Sequence, residues 1–215
     1  LESSNPEHAY AEQAARWRSH FDGLRIPAEK LDAVFEEIVS RYSEPHRAYH
    51  NLRHIEQVLD VVDYLARYAV DIQAVRLAAW FHDIVYDPRG QENEAASADL
   101  ARELLAQVGY MSKGAVASMI LATRDHEHEG ADLDTLVLLD ADLAILGASP
   151  ETYEEYAMAI RKEYFWVPDA RFYTGRSDVL RRLLSRATLF ALPEMRERFE
   201  AQARRNMEAE LQSLE

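Results

Sequence analysis

The chain has no cysteine in its 215 residues, which removes disulfides, thiolate metal sites and cysteine nucleophiles together. Glycine and proline number only 7 each, and they fall mostly between periodic stretches, so little of the chain reads as turn or linker. No apolar run approaches the roughly 20 residues of a membrane span, and no membrane partner is expected. The opening Leu1-Glu2-Ser3-Ser4-Asn5-Pro6 lacks the basic and apolar regions of a secretory signal. With no initial Met, the start is read as trimmed, and the cytoplasm is the expected compartment. Positive charge is scarce: 24 Lys+Arg face 38 Asp+Glu, a net charge of -14. That balance argues against stable binding to nucleic acid or an anionic membrane. Strand-like alternation is missing as well.

What remains is helical periodicity in an ordinary globular composition, 48% apolar and 29% charged. The length suits one domain over 1–215, with a core at about 45–190 and terminal helices packed on it. The pattern predicts an all-α bundle of about nine or ten helices, at 7–22, 28–42, 51–69, 72–86, 92–108, 112–124, 133–147, 150–165, 175–190 and 193–213. Ser149-Pro150-Glu151 reads as an N-cap, an N1 proline and a first-turn acid, with Gly147 closing the helix before it. Asp71 and Ser112 are expected N-caps and Gly109 a C-terminal stop. The last helix reads as a surface brace or a contact in a homodimer.

Charge is unevenly spread. Residues 161–205 hold 11 of the 24 bases against 6 acids, whereas 1–160 hold 13 bases against 29 acids. The basic stretch is either a solvated helix face or a wall for an anionic, phosphorylated substrate.

Four segments carry chemistry. The first is His82-Asp83, which ends the apolar run Ala78-Ala79-Trp80-Phe81. With 8 His and 15 Asp, chance supplies about half of one such pair, so the dipeptide alone is weak. Buried ionisable groups are nevertheless costly unless paired or metal-bound. The second segment, Tyr49-His50-Asn51-Leu52-Arg53-His54, opens a helix whose apolar stripe (Leu52, Ile55, Leu59, Val62) is flanked by His54, so that ring can point inward. The third is Leu139-Asp140-Ala141-Asp142-Leu143. On a helix turning about 100° per residue, Asp142 lies between two leucine-rich sides and is expected to be the better buried carboxylate. Asp140 reads as an orienting or surface acid. Two His and two Asp from three helices suit a divalent ion among Mn, Fe, Co, Ni, Zn and Mg; buried ion pairs without metal would lack positive charge. The fourth segment, Thr123-Arg124-Asp125-His126-Glu127-His128-Glu129, offers His126 and His128 as a second metal site, as phosphate contacts, or as exposed loop polarity. His126 is favoured because it continues the Ile120/Thr123 face.

Taken in order, His54, His82-Asp83 and Asp142 resemble the His…His-Asp…Asp pattern of the HD-domain superfamily of metal-dependent phosphohydrolases. The likeness is greatest to a little-characterised branch of predicted HD phosphohydrolases. It extends over roughly 45–210 through Tyr49-His50-Asn51, His82-Asp83-Ile84-Val85-Tyr86, Asn93-Glu94, Leu139-Asp140-Ala141-Asp142-Leu143 and Ile160-Arg161-x-Glu163-Tyr164. The resemblance implies an all-α fold, with His54, His82, Asp83 and Asp142 as metal ligands. The closely spaced pattern of the cyclic-dinucleotide branch is missing, so that substrate class is not expected.

The expected reaction is metal-assisted hydrolysis of a phosphate ester or anhydride in a nucleotide or another small phosphorylated metabolite. Asp83 is expected at the attacking water, and His126 or His128 at the leaving group. Arg161, Lys162 and Arg176 are candidate phosphate clamps, with surface roles as the alternative. His50, Asn51, Asn93 and Glu94, with Asp87, are candidates for the pocket mouth. Trp166, Phe172 and Tyr173 could stack a base, whereas Trp80 and Phe81 read as core. Rival readings are an HD-type di-iron oxygenase acting on a small polyol or phosphonate, with His50, His126 and His128 as extra ligands, and a non-catalytic metal- or nucleotide-binding module.

Overall fold

The computed structural model describes residues 6–214, with side chains from residue 8; the leader reading of residues 1–5 lies outside them. The described residues form ten α-helices and no strand, in agreement with the all-α expectation. They are α1 (Pro6–Ser19), α2 (Ala28–Tyr42), α3 (Leu52–Tyr64), α4 (Ile72–Phe81), α5 (Asn93–Gln107), α6 (Lys113–Ala122), α7 (Leu133–Asp142), α8 (Pro150–Glu163), α9 (Asp169–Leu184) and α10. Helix α10 runs through Pro193–Met195, a π-helical stretch Arg196–Glu200 and Ala201–Ser213. No helix is long and apolar enough to cross a membrane.

Capping follows local chemistry. Asp71 accepts the Ala74 N–H and Ser149 the Thr152 N–H, whereas Ser112 precedes α6 without a side-chain cap bond. Gly109 follows α5 in the left-handed region at φ 75°. Gly147 has a different task. A Cβ there would come within 2.6 Å of Phe199 Cβ and 2.9 Å of the Phe199 carbonyl oxygen. The missing side chain lets the turn after α7 approach the π-helical stretch of α10.

Four helices depart most from the expected boundaries: α3 ends at Tyr64 and α7 at Asp142, each with a short 3-10 turn covering most of the remaining expected residues, and α9 and α4 differ as well. Helix α9 begins at Asp169, with Pro168 before it. The proline and the first-turn acid are the start signal, and Gly175 sits within the helix facing open space. Helix α4 stops at Phe81, short of residue 86, because side chains take the carbonyls of its end. Tyr42 Oη donates to Trp80 O at 3.0 Å, and His82 Nδ1 lies 2.9 Å from Ala79 O. Arg47 donates to Asp83 O and Ile84 O at 2.8 and 2.9 Å.

Helix α4 is buried from Ala74 to Phe81 apart from Arg76 and packs on α3, α6 and α7. Trp80, wholly buried, meets Trp17 and Phe35 edge-on at 5.9 and 6.0 Å. This packing brings three helix termini together: the first turn of α3 with His54, the end of α4 followed by His82-Asp83, and the end of α7 with Asp142. Two of the three are C-termini, whose partial negative charge favours a cation.

Candidate metal centre

The four side chains singled out by burial converge. His54 Nε2 and His82 Nε2 are 3.2 Å apart. Asp142 Oδ1 lies 3.3 Å from the first and 3.5 Å from the second. Asp83 Oδ2 lies 3.5 Å from His54 Nε2 and 3.2 Å from His82 Nε2. Ligand atoms about 2.1 Å from one ion stand roughly 3.0–3.4 Å apart in octahedral or tetrahedral arrangement, so the spacing of His54, His82 and Asp142 fits a single centre. Among the described residues, His54, His82 and Asp142 form a His/Asp group able to hold a metal ion, and Asp83 adjoins it.

The electrostatics match. Burial alone would push His54 and His82 down, but Asp83 and Asp142 outweigh it and hold both rings above the usual histidine value, His82 well above. Burial alone would raise the two carboxyls, yet the imidazoles keep both well below the usual carboxylate range. Two carboxylates thus supply negative charge to two ring nitrogens, the requirement of a divalent cation. His82 Nδ1, against the Ala79 carbonyl, is the donor in that contact, which leaves Nε2 free as a ligand.

Around this group stands a frame of polar side chains. Glu163, on α8, is buried with 1% of its surface exposed. Its Oε1 accepts the backbone N–H groups of Ala48, Tyr49 and His50 at 2.8, 2.8 and 2.9 Å. Its Oε2 takes His50 Nδ1 at 2.7 Å and Tyr86 Oη at 2.9 Å. Burial works against this carboxylate, but the His50 contacts and the backbone N–H bonds hold it at about 2. The His50 ring stacks on Tyr86 at 4.2 Å and presents Nε2 4.0 Å from Asp83 Oδ2. On the other side of the loop, Arg47 donates to Glu44 and to the carbonyls of His50, Asp83 and Ile84, with Tyr42 and Tyr86 against its guanidinium.

Among the described residues, His126 is the one non-glycine residue with positive φ, 49°, a region in which histidine is enriched. Arg186 fastens the turn by donating to the Asp125 and His126 carbonyls, and His126 Nε2 meets Asp142 Oδ2 at 2.9 Å. His126 therefore steadies the carboxylate. His128 turns away, its Nε2 4.0 Å from Asp140 and without a hydrogen bond.

Other candidates fall elsewhere. Asp140, not Asp142, is the more buried acid, at 0% exposure, and it accepts the Ala191 and Leu192 N–H groups at 2.7 Å each. A projection of one isolated helix misses the segment that covers it. Asn51 caps α3 by accepting the Arg53 N–H, and Asn93 uses its amide on the backbone of Asp87. Asn93 and Glu94 nevertheless line a cavity of about 320 Å³ that includes Asp83, Asp142, His50 and His126. Arg161 donates to Asp169 and to two carbonyls, and Arg176 pairs with Glu210. These two arginines and Lys162 are absent from the cavities beside the cluster. Trp166 and Phe172 pack under Arg89 and Arg161.

Sequence reasoning missed Arg47, and it quoted Glu163 only as part of a motif. A buried acid spaced three from Ile160 on α8 was the available signal for Glu163; Arg47 carried none.

A sequence model of the HD domain matches residues 51–161, slightly more than half of the 215 residues. No curated protein and no solved structure matches the chain.

Proposed function

This chain belongs to the HD-domain family, and on that premise we propose that it is a metal-dependent phosphohydrolase acting on an ester or anhydride of a small phosphorylated metabolite. The observation that carries the reading is the convergence of the His54 and His82 Nε2 atoms with Asp142 Oδ1 within 3.2–3.5 Å, with Asp83 Oδ2 at 3.2–3.5 Å from the same two nitrogens, beside a cavity. His54, His82 and Asp142, with Asp83, would hold the ion. When bound, it supplies Lewis-acid polarisation of a phosphoryl oxygen and a lowered pKa for water.

The protein's own residues divide the remaining work. In hydrolysis a water oxygen bonds to phosphorus, the P–O bond to the leaving group breaks, and the leaving group takes a proton. Glu163 fixes His50 through Nδ1, so Nε2 faces Asp83 and the cavity, where a proton can be held. His126 keeps Asp142 oriented. Cavities of about 210 and 320 Å³ lie near or below the ~300–1,000 Å³ of ordinary ligand pockets, which suits a small metabolite.

The test is phosphate release from a panel of phosphate esters and anhydrides with Mn²⁺, Co²⁺, Ni²⁺ or Mg²⁺, wild type beside Asp83→Ala. Metal-dependent release lost in the variant supports the reading, and no release from any compound counts against it. Oxygen chemistry at two irons is the second reading, favoured by the extra imidazoles of His50 and His126 beside Asp83 and Asp142. It requires two irons per chain and oxygen uptake.

A further inference from the structure

Three arginines line a cavity of about 210 Å³ that also contains Asp142 and His126. Val179, Arg182, Leu183 and Arg186 follow the spacing of one helical face, so α9 and the residues just after it present Arg182 and Arg186 together. Arg182 is exposed, and its side chain makes no hydrogen bond or ion pair among the described residues. Arg186 uses its donors on the Asp125 and His126 carbonyls. Its pKa is pulled down, first by burial and then by the charge of Arg182, with Glu127 and Asp125 opposing. Arg124 engages Asp125 through Nε alone, at 3.2 Å. Tyr49, whose hydroxyl is buried without a partner, lines the same cavity.

The three arginines thus outnumber their two neighbouring acids, Asp125 and Glu127, since Asp142 belongs to the cluster. Charge of one sign lining a cleft focuses the field on an incoming ion of the other. Guanidinium groups are matched to phosphoryl oxygens by their paired donors. Resting on the phosphohydrolase reading, we infer that this cavity is a subsite for a second phosphoryl group of the substrate. The protein then acts on molecules with two phosphoryl groups, as a bisphosphate or a diphosphate anhydride, in preference to monoesters of neutral alcohols.

The test uses matched probes and a binding readout. Propyl phosphate and alkanediol bisphosphates of increasing length are titrated calorimetrically into metal-loaded protein, wild type beside Arg182→Gln and Arg124→Gln/Arg182→Gln. Arg182 is solvent-exposed and unpartnered, so its replacement leaves the fold intact. The expected result is a bisphosphate bound at least about tenfold tighter than propyl phosphate, with the ratio falling towards one in the double variant. Equal affinities in the wild type, or a ratio that survives both substitutions, would overturn the inference. Phosphate release is followed on the same compounds. Turnover of none, with the binding ratio intact, would remove the hydrolase reading and leave the anion subsite standing.

Discussion

Glu163→Gln is the most informative single substitution, because it removes one charge and almost no volume from a buried position. The wild-type carboxyl is held at about 2 against an ordinary 4.5: burial opposes ionisation, and the His50 side chain with the backbone N–H groups prevails. At about 1.4 kcal/mol per pH unit, this is worth roughly 3 kcal/mol of stability. The glutamine oxygen can still accept the three backbone N–H bonds, but its NH₂ then faces His50 and Tyr86, which must become acceptors. A loss of about 2–3 kcal/mol follows, or roughly 4–10 °C in Tm for a chain of this size. The sign with pH is fixed. Because the folded-state pKa is depressed, the stabilisation is complete above about pH 6 and fades as pH falls through 4.5 towards 2, with roughly half left at pH 3. Urea unfolding of both proteins at pH 7, 4 and 3 measures this directly. A gap that is absent at pH 7, or the same at pH 7 and pH 3, would refute the reasoning.

Other expectations concern the ion and the packing. At about a hundredfold over its dissociation constant, a divalent ion should stabilise the protein by about 2.7 kcal/mol and raise Tm by roughly 5–10 °C. His54→Ala should abolish the shift, and an equal shift in the variant would place the ion elsewhere. Gly147→Ala should cost about 1–3 kcal/mol through overpacking, because its Cβ meets Phe199 at 2.6 Å; an unchanged urea midpoint would show that α10 yields freely.

The His/Asp cluster was legible because its anomaly is local: ionisable residues interrupt or end apolar stretches at His54, His82-Asp83 and Asp142. The support was not legible. Glu163 acts on Ala48, Tyr49 and His50 from more than 110 residues away, and mainly on backbone atoms that carry no sequence signature. The basic segment was legible, but which of its members line a cavity was not. Arg161 and Arg176 are claimed by Asp169 and Glu210, while Arg182, near the end of α9, and Arg186, just after it, reach the cavity. The end of α4 was illegible for the same reason, since Tyr42, which donates to Trp80 O, and Arg47, which takes the carbonyls just beyond the helix, lie on other segments.

The loop between α2 and α3 is gripped by opposite charges that act on its main chain. Arg47 takes a carbonyl at residue 50, and Glu163 takes the amides of 48, 49 and 50. Apart from the His50 ring, whose Nδ1 also meets Glu163, no side chain at these positions enters those bonds. The path of the loop is therefore held through main-chain atoms by residues 47 and 163, while the Tyr49 ring packs on His54 and Tyr156 at 4.7 Å each. Residue 48 can vary with both grips left in place, whereas a change at Tyr49 reaches the His/Asp cluster through His54.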